Sequence, residues 1–565
     1  MTNRIAARLS GRWKGHWELA GMLLASLLAA GCAPSVNGPA DSFGIDFTPP
    51  PNAPVKGAVL FFIDGVNASV FQELLDANEL PAFKRYFVDR GLYVTRAIGS
   101  TPSVTLANEV SVVTGRLPGH HNITGVTWFD RNQLIYRDYR TIAQKDYLDR
   151  DYQAPTLYER LVGQTTYSDF YQAHRGATKW VEDWASAGPP FFFGWYEYID
   201  RLTLWRLKGL MDLSRQRGQF PAFIVVYQLL PDFRGYRYGP GSPQYRQALR
   251  TTDRQLGRVL GDMERAGILD KLVIAVTSDH GMTPVSRHFD LERYLGGSAG
   301  LDVASRHLWE NQSFESRQRY YGKFSTVVYG TGYRYVAICL RRPLRREGRL
   351  TGWAAWTIRP SAQDIRDFPI RGGQAKDLIQ ALVSQPAVDL AAYAVAPNRI
   401  RVCSDKGEVE FFQKGGRGQD ISYRLITGAD PLGYLGAVPA ELTSGQPASP
   451  ARWLEATAQT DYPDLPTQMV AYFRAPRAGD IAVFARSGWD FEAGVLAGGH
   501  GGQLTSDVQV PLLLAGPGVP YERRTTARSV DLPATLLFPV GLPAGGLDGV
   551  NLLETPKSAA AKKEP

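Results

Sequence analysis

Val55-Lys-Gly-Ala-Val-Leu-Phe-Phe-Ile63-Asp64-Gly65 is an apolar run closed by a carboxylate and a glycine. From Ala58 to Ile63 no polar residue alternates with the apolar ones, so a strand buried on both faces is predicted rather than a half-solvated one. Open α/β sheets place their chemistry just past the carboxyl ends of parallel strands, which is where Asp64 falls. Two more stretches repeat the pattern. Pro221 to Leu230 runs into Pro231-Asp232-Phe-Arg-Gly-Tyr236, and Lys271 to Thr277 runs into Ser278-Asp279-His280-Gly281-Met282-Thr283. Between them, Tyr245 to Leu269 carries Leu249, Leu256, Val259, Leu260 and Met263 on one helical face. Strands alternating with amphipathic helices predict an α/β fold with a central, mostly parallel sheet. One aspartate after a strand would usually cap the next helix; three in the same setting indicate a shared site.

A second stretch, Gly99-Ser-Thr-Pro-Ser-Val-Thr105-Leu-Ala-Asn108-Glu, has a different character. Pro102 and Ser103 end an extended run, and Leu106 to Thr114 reads as a short apolar helix closed by Gly115. This predicts Thr105 at the N-cap, its hydroxyl beside unpaired backbone N–H groups that suit a phosphate. A lone threonine would be no more than a cap. Near the end of the chain Gly498-Gly-His500-Gly supplies a histidine between glycines, which permit the tight turns a metal ligand needs.

Taken together and in this order, Asp64, the Thr105 segment, Asp232, Asp279-His280 and Gly498-Gly-His500-Gly resemble the alkaline phosphatase superfamily, and within it the type I phosphodiesterase/nucleotide pyrophosphatase branch. The resemblance covers roughly 55–325 and 480–552. Sulfatases of the same superfamily need a Cys/Ser-x-Pro-x-Arg setting, which Thr105-Leu-Ala-Asn-Glu does not supply. The resemblance implies an alkaline-phosphatase-like sandwich with an inserted, smaller α+β cap. It also implies two Zn²⁺ ions and a phospho-threonine intermediate. Asp64, Asp279, His280 and Thr105 would surround the nucleophile's metal, and Asp232 and His500 would hold the other, with Thr105 and Asn108 as catalytic residues. The implied substrate is a small-molecule phosphate ester.

Two positions depart from that pattern. Four residues after Asp232 the family has a histidine ligand where this chain has Tyr236, and a neutral phenol is a poor zinc ligand. Twenty-one residues after the nucleophile the branch has an asparagine that steadies a phosphoryl oxygen, where an ungapped count lands on Val126. His120 and His121 are the neighbouring candidates to replace a ligand. These departures keep two alternatives open: a phosphomonoesterase of the same fold, and a binding protein whose catalytic site has decayed.

The first 31 residues hold Arg4, Arg8, Arg12 and Lys14, then an apolar run from Leu19 to Leu28 and Ala29-Ala30-Gly31-Cys32. A charged start, a short apolar centre and small residues predict a secretory signal, too short to span a bilayer. It resembles a bacterial lipoprotein signal with Cys32 lipidated; the alternative is an ordinary export signal cut near Ala30. Ala33 rather than Asp after the cysteine points to the outer membrane, facing the periplasm. Residues 32–54 read as a flexible linker. Removing the leader lowers the formal charge from +8 to about +5, a mildly basic body with no nucleic-acid-binding motif. Cys339 and Cys403 lie in strand-like runs and could be paired or free.

The remaining expectations concern organisation. The catalytic core is expected over 55–325, the cap over 326–479 and a return to the main sheet over 480–553, led by the strand Asp480–Ala485. Arg399–Cys403 and Gly407–Phe412 read as a hairpin, Gly415–Pro450 as loop and 554–565 as a disordered tail. Oligomeric state is not legible.

Overall fold

The computed structural model describes residues 53 and 55–554, apart from 142, 182–183, 414–419, 493 and 544. Cys32, the leader, nearly all of the linker and the tail from 555 lie outside the described residues. Fifteen strands carry the two large sheets. β1 (Gly57–Ile63), β2 (Leu92–Ile98), β3 (Thr166–Asp169), β4 (Lys179–Val181), β5 (Phe223–Gln228) and β6 (Leu272–Thr277) come first. Next come β7 (Thr326–Thr331), β8 (Tyr335–Leu340), β9 (Val388–Ala396), β10 (Arg399–Cys403), β11 (Gly407–Gln413), β12 (Ile421–Gly428) and β13 (Ile481–Ala485). β14 (Gln509–Ala515) and β15 (Glu522–Arg528) close the set.

The first sheet has eight strands in the order β15-β2-β14-β6-β1-β5-β3-β4. Only β14 runs against its neighbours; every other pairing is parallel. β1, β6 and β14 are buried along their whole length, as their uninterrupted apolar sequences require. Because β1, β5 and β6 lie side by side in parallel, their carboxyl ends bring Asp64, Asp232 and Asp279 to one edge.

The second sheet is antiparallel, in the order β7-β8-β13-β9-β10-β11-β12. It corrects two expectations. β13 does not return to the main sheet but pairs between β8 and β9. Its apolar sequence suits any buried strand, so hydropathy could not choose between the two sheets. The stretch read as loop from Gly415 contains β12, an edge strand whose alternating polar residues and glycines conceal it. The hairpin of β10 and β11 forms as expected. Cys339 and Cys403 are both buried and free.

Five helices form or flank the region past the carboxyl ends of these strands: α1 (Thr105–Thr114), α2 (Trp184–Phe192), α3 (Tyr196–Arg217), α4 (Leu230–Tyr238) and α5 (Pro243–Arg265). No described helix is long and apolar enough to cross a membrane.

Candidate metal and nucleophile site

α1 starts one residue earlier than expected. Val104 is its N-cap and Thr105 its first helical residue; Gly115, in the left-handed conformation, closes it. From Ala97 to Gly115 every residue is buried except Thr105. Asn108 fixes that geometry. Its side-chain N–H groups donate to the carbonyls of Ser100, Pro102 and Val104, and its Oδ1 accepts from Ser100 N–H at 2.6 Å. The amide thus holds the loop that leads into Thr105.

Thr105 Oγ1 lies 3.3 Å from His280 Nε2. The same nitrogen is 3.3 Å from Asp64 Oδ1 and 3.0 Å from Asp279 Oδ2. His280 Nδ1–H donates to the Gly281 carbonyl at 2.8 Å, which turns Nε2 towards the cluster. His500 is oriented the same way, its Nδ1–H donating to the Ser103 carbonyl at 2.8 Å. The two imidazoles stack with centroids 3.3 Å apart. On α4, Asp232 and Tyr236 are four residues apart and so share a face. The Tyr236 hydroxyl donates to His500 Nε2.

Two ligand groupings result: Asp64, Asp279 and His280; and Asp232, His280 and His500. In each, the candidate atoms lie within 4.8 Å of one another. His280 therefore stands between two positions rather than on one side. Close backbone approach makes this possible. Gly65 has φ +68°, and a Cβ there would come within 2.7 Å of Asp232 Cα. A Cβ on Gly498 would come within 2.4 Å of the Gly235 carbonyl oxygen.

The electrostatics describe a cluster short of positive charge. Burial, with the charges of Asp232 and Asp279, pushes the Asp64 carboxyl well above the usual range. Burial pushes Asp232 up to about 7, against the pull of His280. Burial would raise Asp279 too, but His280 beside it holds that carboxyl below its ordinary value. Burial and His280 drive His500 well below an ordinary imidazole. Asp64 Oδ1, Asp232 Oδ1 and Asp279 Oδ2 are buried without a hydrogen-bond donor among the described residues. Three orphaned carboxylate oxygens facing two inward imidazole nitrogens are costly without a cation, and a mixed N/O donor set suits divalent zinc. The residues present fit a metal.

Of the positions singled out in the sequence, Thr105, Asp64, Asp232, Asp279, His280, His500 and Tyr236 converge here. Val126 is packed against the hydrophobic core. His120 pairs with Asp548 at 2.6 Å. His121 is buried, held down to about 3 by desolvation, and bonded to Ser111 Oγ at 3.0 Å. Both histidines are thus committed elsewhere in the fold. Three contributors escaped the sequence reading. Tyr227, inside β5, donates its hydroxyl to Asp64 Oδ2. Ser103 donates to the Gly502 carbonyl at 2.9 Å and accepts from Gly501 N–H, joining the Thr105 loop to the His500 loop. The turn between β7 and β8 clamps His500: its N–H donates to the Gly332 carbonyl at 2.7 Å, and its carbonyl accepts from Arg334 N–H at 3.0 Å. Each relation spans more than a hundred residues, and none has a local signal.

The fold is a mixed α/β one with a central, mostly parallel sheet, and it gathers carboxylates and histidines past its strand ends beside a helix-borne threonine. Comparison with known proteins gives the following likenesses. Residues 58–331 match the family described as type I phosphodiesterase/nucleotide pyrophosphatase. The human ectonucleotide pyrophosphatase/phosphodiesterase family member 7 is 34% identical over 93 residues, 16% of this chain and 18% of that protein. A pyrophosphatase/phosphodiesterase of Schizosaccharomyces pombe is 25% identical over 274 residues, 44% of this chain and 52% of that protein. Each alignment thus spans about half or less of the curated relative. Murine ectonucleotide pyrophosphatase/phosphodiesterase 5, in an inactive variant complexed with AMP, shares the fold at a TM-score of 0.54 and 15% identity. That likeness covers 86% of this chain and 96% of the murine one.

Proposed function

We propose that this chain is a metal-dependent hydrolase of phosphodiester or pyrophosphate bonds, with Thr105 as the nucleophile. The observation that carries the reading is the position of Thr105: solvent-accessible in a buried segment, with its hydroxyl 3.3 Å from the imidazole shared by both ligand groupings. Asp64, Asp279 and His280 would hold one zinc ion, and Asp232 and His500 a second. When bound, the metal lowers the pKa of a neighbouring hydroxyl and offsets charge on the phosphoryl group. Thr105 Oγ1 gives up its proton and attacks phosphorus, an O–P bond forms, and the bond to the leaving oxygen breaks, that oxygen departing with its electron pair and taking up a proton. Water then cleaves the phospho-threonine ester, returning the hydroxyl. Asn108 and Ser103 act as positioning residues, holding the loop before Thr105 and coupling it to His500. A nucleotide-like phosphate ester is the favoured substrate class, since the murine relative is complexed with AMP. By the reading of Cys32, the enzyme works lipid-anchored at the bacterial outer membrane.

One observation favours a second reading. The Tyr236 phenol occupies the Nε2 atom that His500 would offer to a metal, and its own pKa is raised well above normal, first by burial and then by Asp232. A neutral phenol in place of an imidazole ligand favours a weaker second ion, and so a mononuclear or non-catalytic site. Thr105→Ala should abolish turnover of bis-p-nitrophenyl phosphate by at least ~10³-fold without changing metal content. Equal rates for variant and parent would remove Thr105 from the chemistry. Comparing bis- with mono-p-nitrophenyl phosphate separates diesterase from monoesterase.

A further inference from the structure

The first turns of α3, beside the site, expose an apolar stripe that no described residue covers. Trp195, Tyr198 and Trp205 are 60%, 41% and 49% exposed, and half-buried Leu202 lies between the last two. Spacings of three, four and three place them along one helical face. The opposite face of α3 is buried through Ile199, Thr203, Leu204 and Leu207. Just before it, the turn from α2 exposes Phe192 and Phe193 at 81% and 69%. Exposed large apolar side chains grouped in this way mark interaction sites.

This patch is continuous with the candidate active site. Phe191 and Tyr196 pack on Phe233, with centroids 5.4 and 3.9 Å away, and Phe233 follows Asp232. The buried Asp200 carboxylate accepts from the N–H groups of Leu229 and Leu230, fixing the start of α3 to the start of α4. The aromatic turn therefore projects from the carboxyl ends of the strands, where the ligands gather.

We infer that the α2–α3 aromatic turn is a bilayer-docking element, which seats in the headgroup region of a phospholipid membrane and orients the site towards it. Tryptophan, tyrosine and phenylalanine mixed with cations is the composition of interfacial segments. Lys179 and Arg201 are exposed, and the Arg201 guanidinium lies 5.9 Å over the Tyr198 ring. Those cations, and the formal charge of about +5 left once the leader is removed, suit anionic headgroups. The chain preceding the fold supports this occupant. In the reading of Cys32 as lipidated, the 22 residues from Ala33 to Pro54 lie between that anchor and the fold. That tether enters at the amino end of β1, about 23 Å from the Asp64 end. Alone it holds the body near the membrane without selecting a face; the aromatic turn selects one.

Labelling with an environment-sensitive fluorophore tests this on the full chain bound to phosphatidylethanolamine/phosphatidylglycerol vesicles. Cys339 and Cys403 are buried, and the Cys32 thiol is blocked by its lipid or removed by Cys32→Ser, so none of the three takes the label. A label at Phe193→Cys should shift to the blue and be quenched by spin-labelled lipid at least about fivefold more than one at Tyr521→Cys, a 75% exposed position on the far edge of the sheet. Adding Trp195→Ser and Tyr198→Ser should return the Phe193→Cys label to water, while the melting temperature holds. Equal quenching at both sites overturns the proposal. So does a blue shift that follows protein concentration rather than lipid, which would make a second copy the occupant. Because the readout involves no turnover, it stands or falls separately from the hydrolase reading.

Discussion

Asp232→Asn should stabilise this protein when metal is removed and weaken it when metal is present. Asp232 is buried, its Oδ1 meets no donor, and burial raises its carboxyl from 3.8 to about 7. A difference of about 3 units corresponds to about 4 kcal/mol at about 1.36 kcal/mol per unit. The direction follows from a folded-state value above the unfolded one. Near pH 4 and below, the folded carboxyl is neutral and the penalty is absent. As pH rises towards 7 the unfolded chain ionises first, and stability drains away until the folded group also ionises. An amide of the same shape never ionises, and the value of about 7 already includes the pull of His280. The net gain expected in EDTA is therefore about 2–4 kcal/mol at about pH 8 and nearly nothing at about pH 4. With saturating Zn²⁺ the sign reverses, because a carboxylate ligand has been lost. Urea unfolding followed by tryptophan fluorescence, with EDTA or Zn²⁺ at both pH values, reads all four states. A variant equally destabilised in EDTA at both pH values would refute the reasoning. It would show the carboxylate to be held by protein partners rather than waiting for a cation.

Three further outcomes are expected. Tyr236→His should raise zinc per chain, measured by plasma emission, and increase the diesterase rate, because an imidazole at that position adds a neutral nitrogen ligand beside Asp232 and His500. If neither changes, Tyr236 is not at a ligand position. Asn108→Ala leaves the Ser100, Pro102 and Val104 backbone groups without their partner and should lower stability by about 3 kcal/mol. Its kcat should fall more than its KM rises; an unchanged kcat would deny it the positioning role. Cys32→Ser, expressed with its leader, should remain unlipidated, seen as a mass lacking acyl groups, and a normally processed, soluble product would end the tether reading.

Much of the fold could be read from local patterns. Buried parallel strands need apolar residues on both faces, so Ala58–Ile63, Phe223–Val226 and Leu272–Val276 announce themselves, and a parallel sheet puts the residues after each strand at one edge. Asp64, Asp232 and Asp279 follow from that rule. Local signals place Thr105 at a helix start and His500 between glycines, but their roles, and that of His280, came from the order of the motifs and the resemblance it carries. What sequence patterns could not decide was which strand pairs with which. The apolar strand β13 fits either sheet by hydropathy, and only its hydrogen bonds to β8 and β9 assign it.

The site's finer controls were likewise settled only by tertiary structure. Tyr227 looks like any aromatic in a buried strand until β5 is set beside β1, which brings its hydroxyl to Asp64. Tyr236 reads from the sequence as a missing ligand; the fold makes it a donor to His500 Nε2. The stripe through Trp195, Tyr198 and Trp205 carries the periodicity of a helix face, but periodicity does not say whether a face meets the core or the solvent. α3 resolves this by burying the opposite face against the sheet and leaving the aromatic one outside. Local chemistry thus chose the reacting groups, while long-range packing set their partners, their protonation and the surface they face.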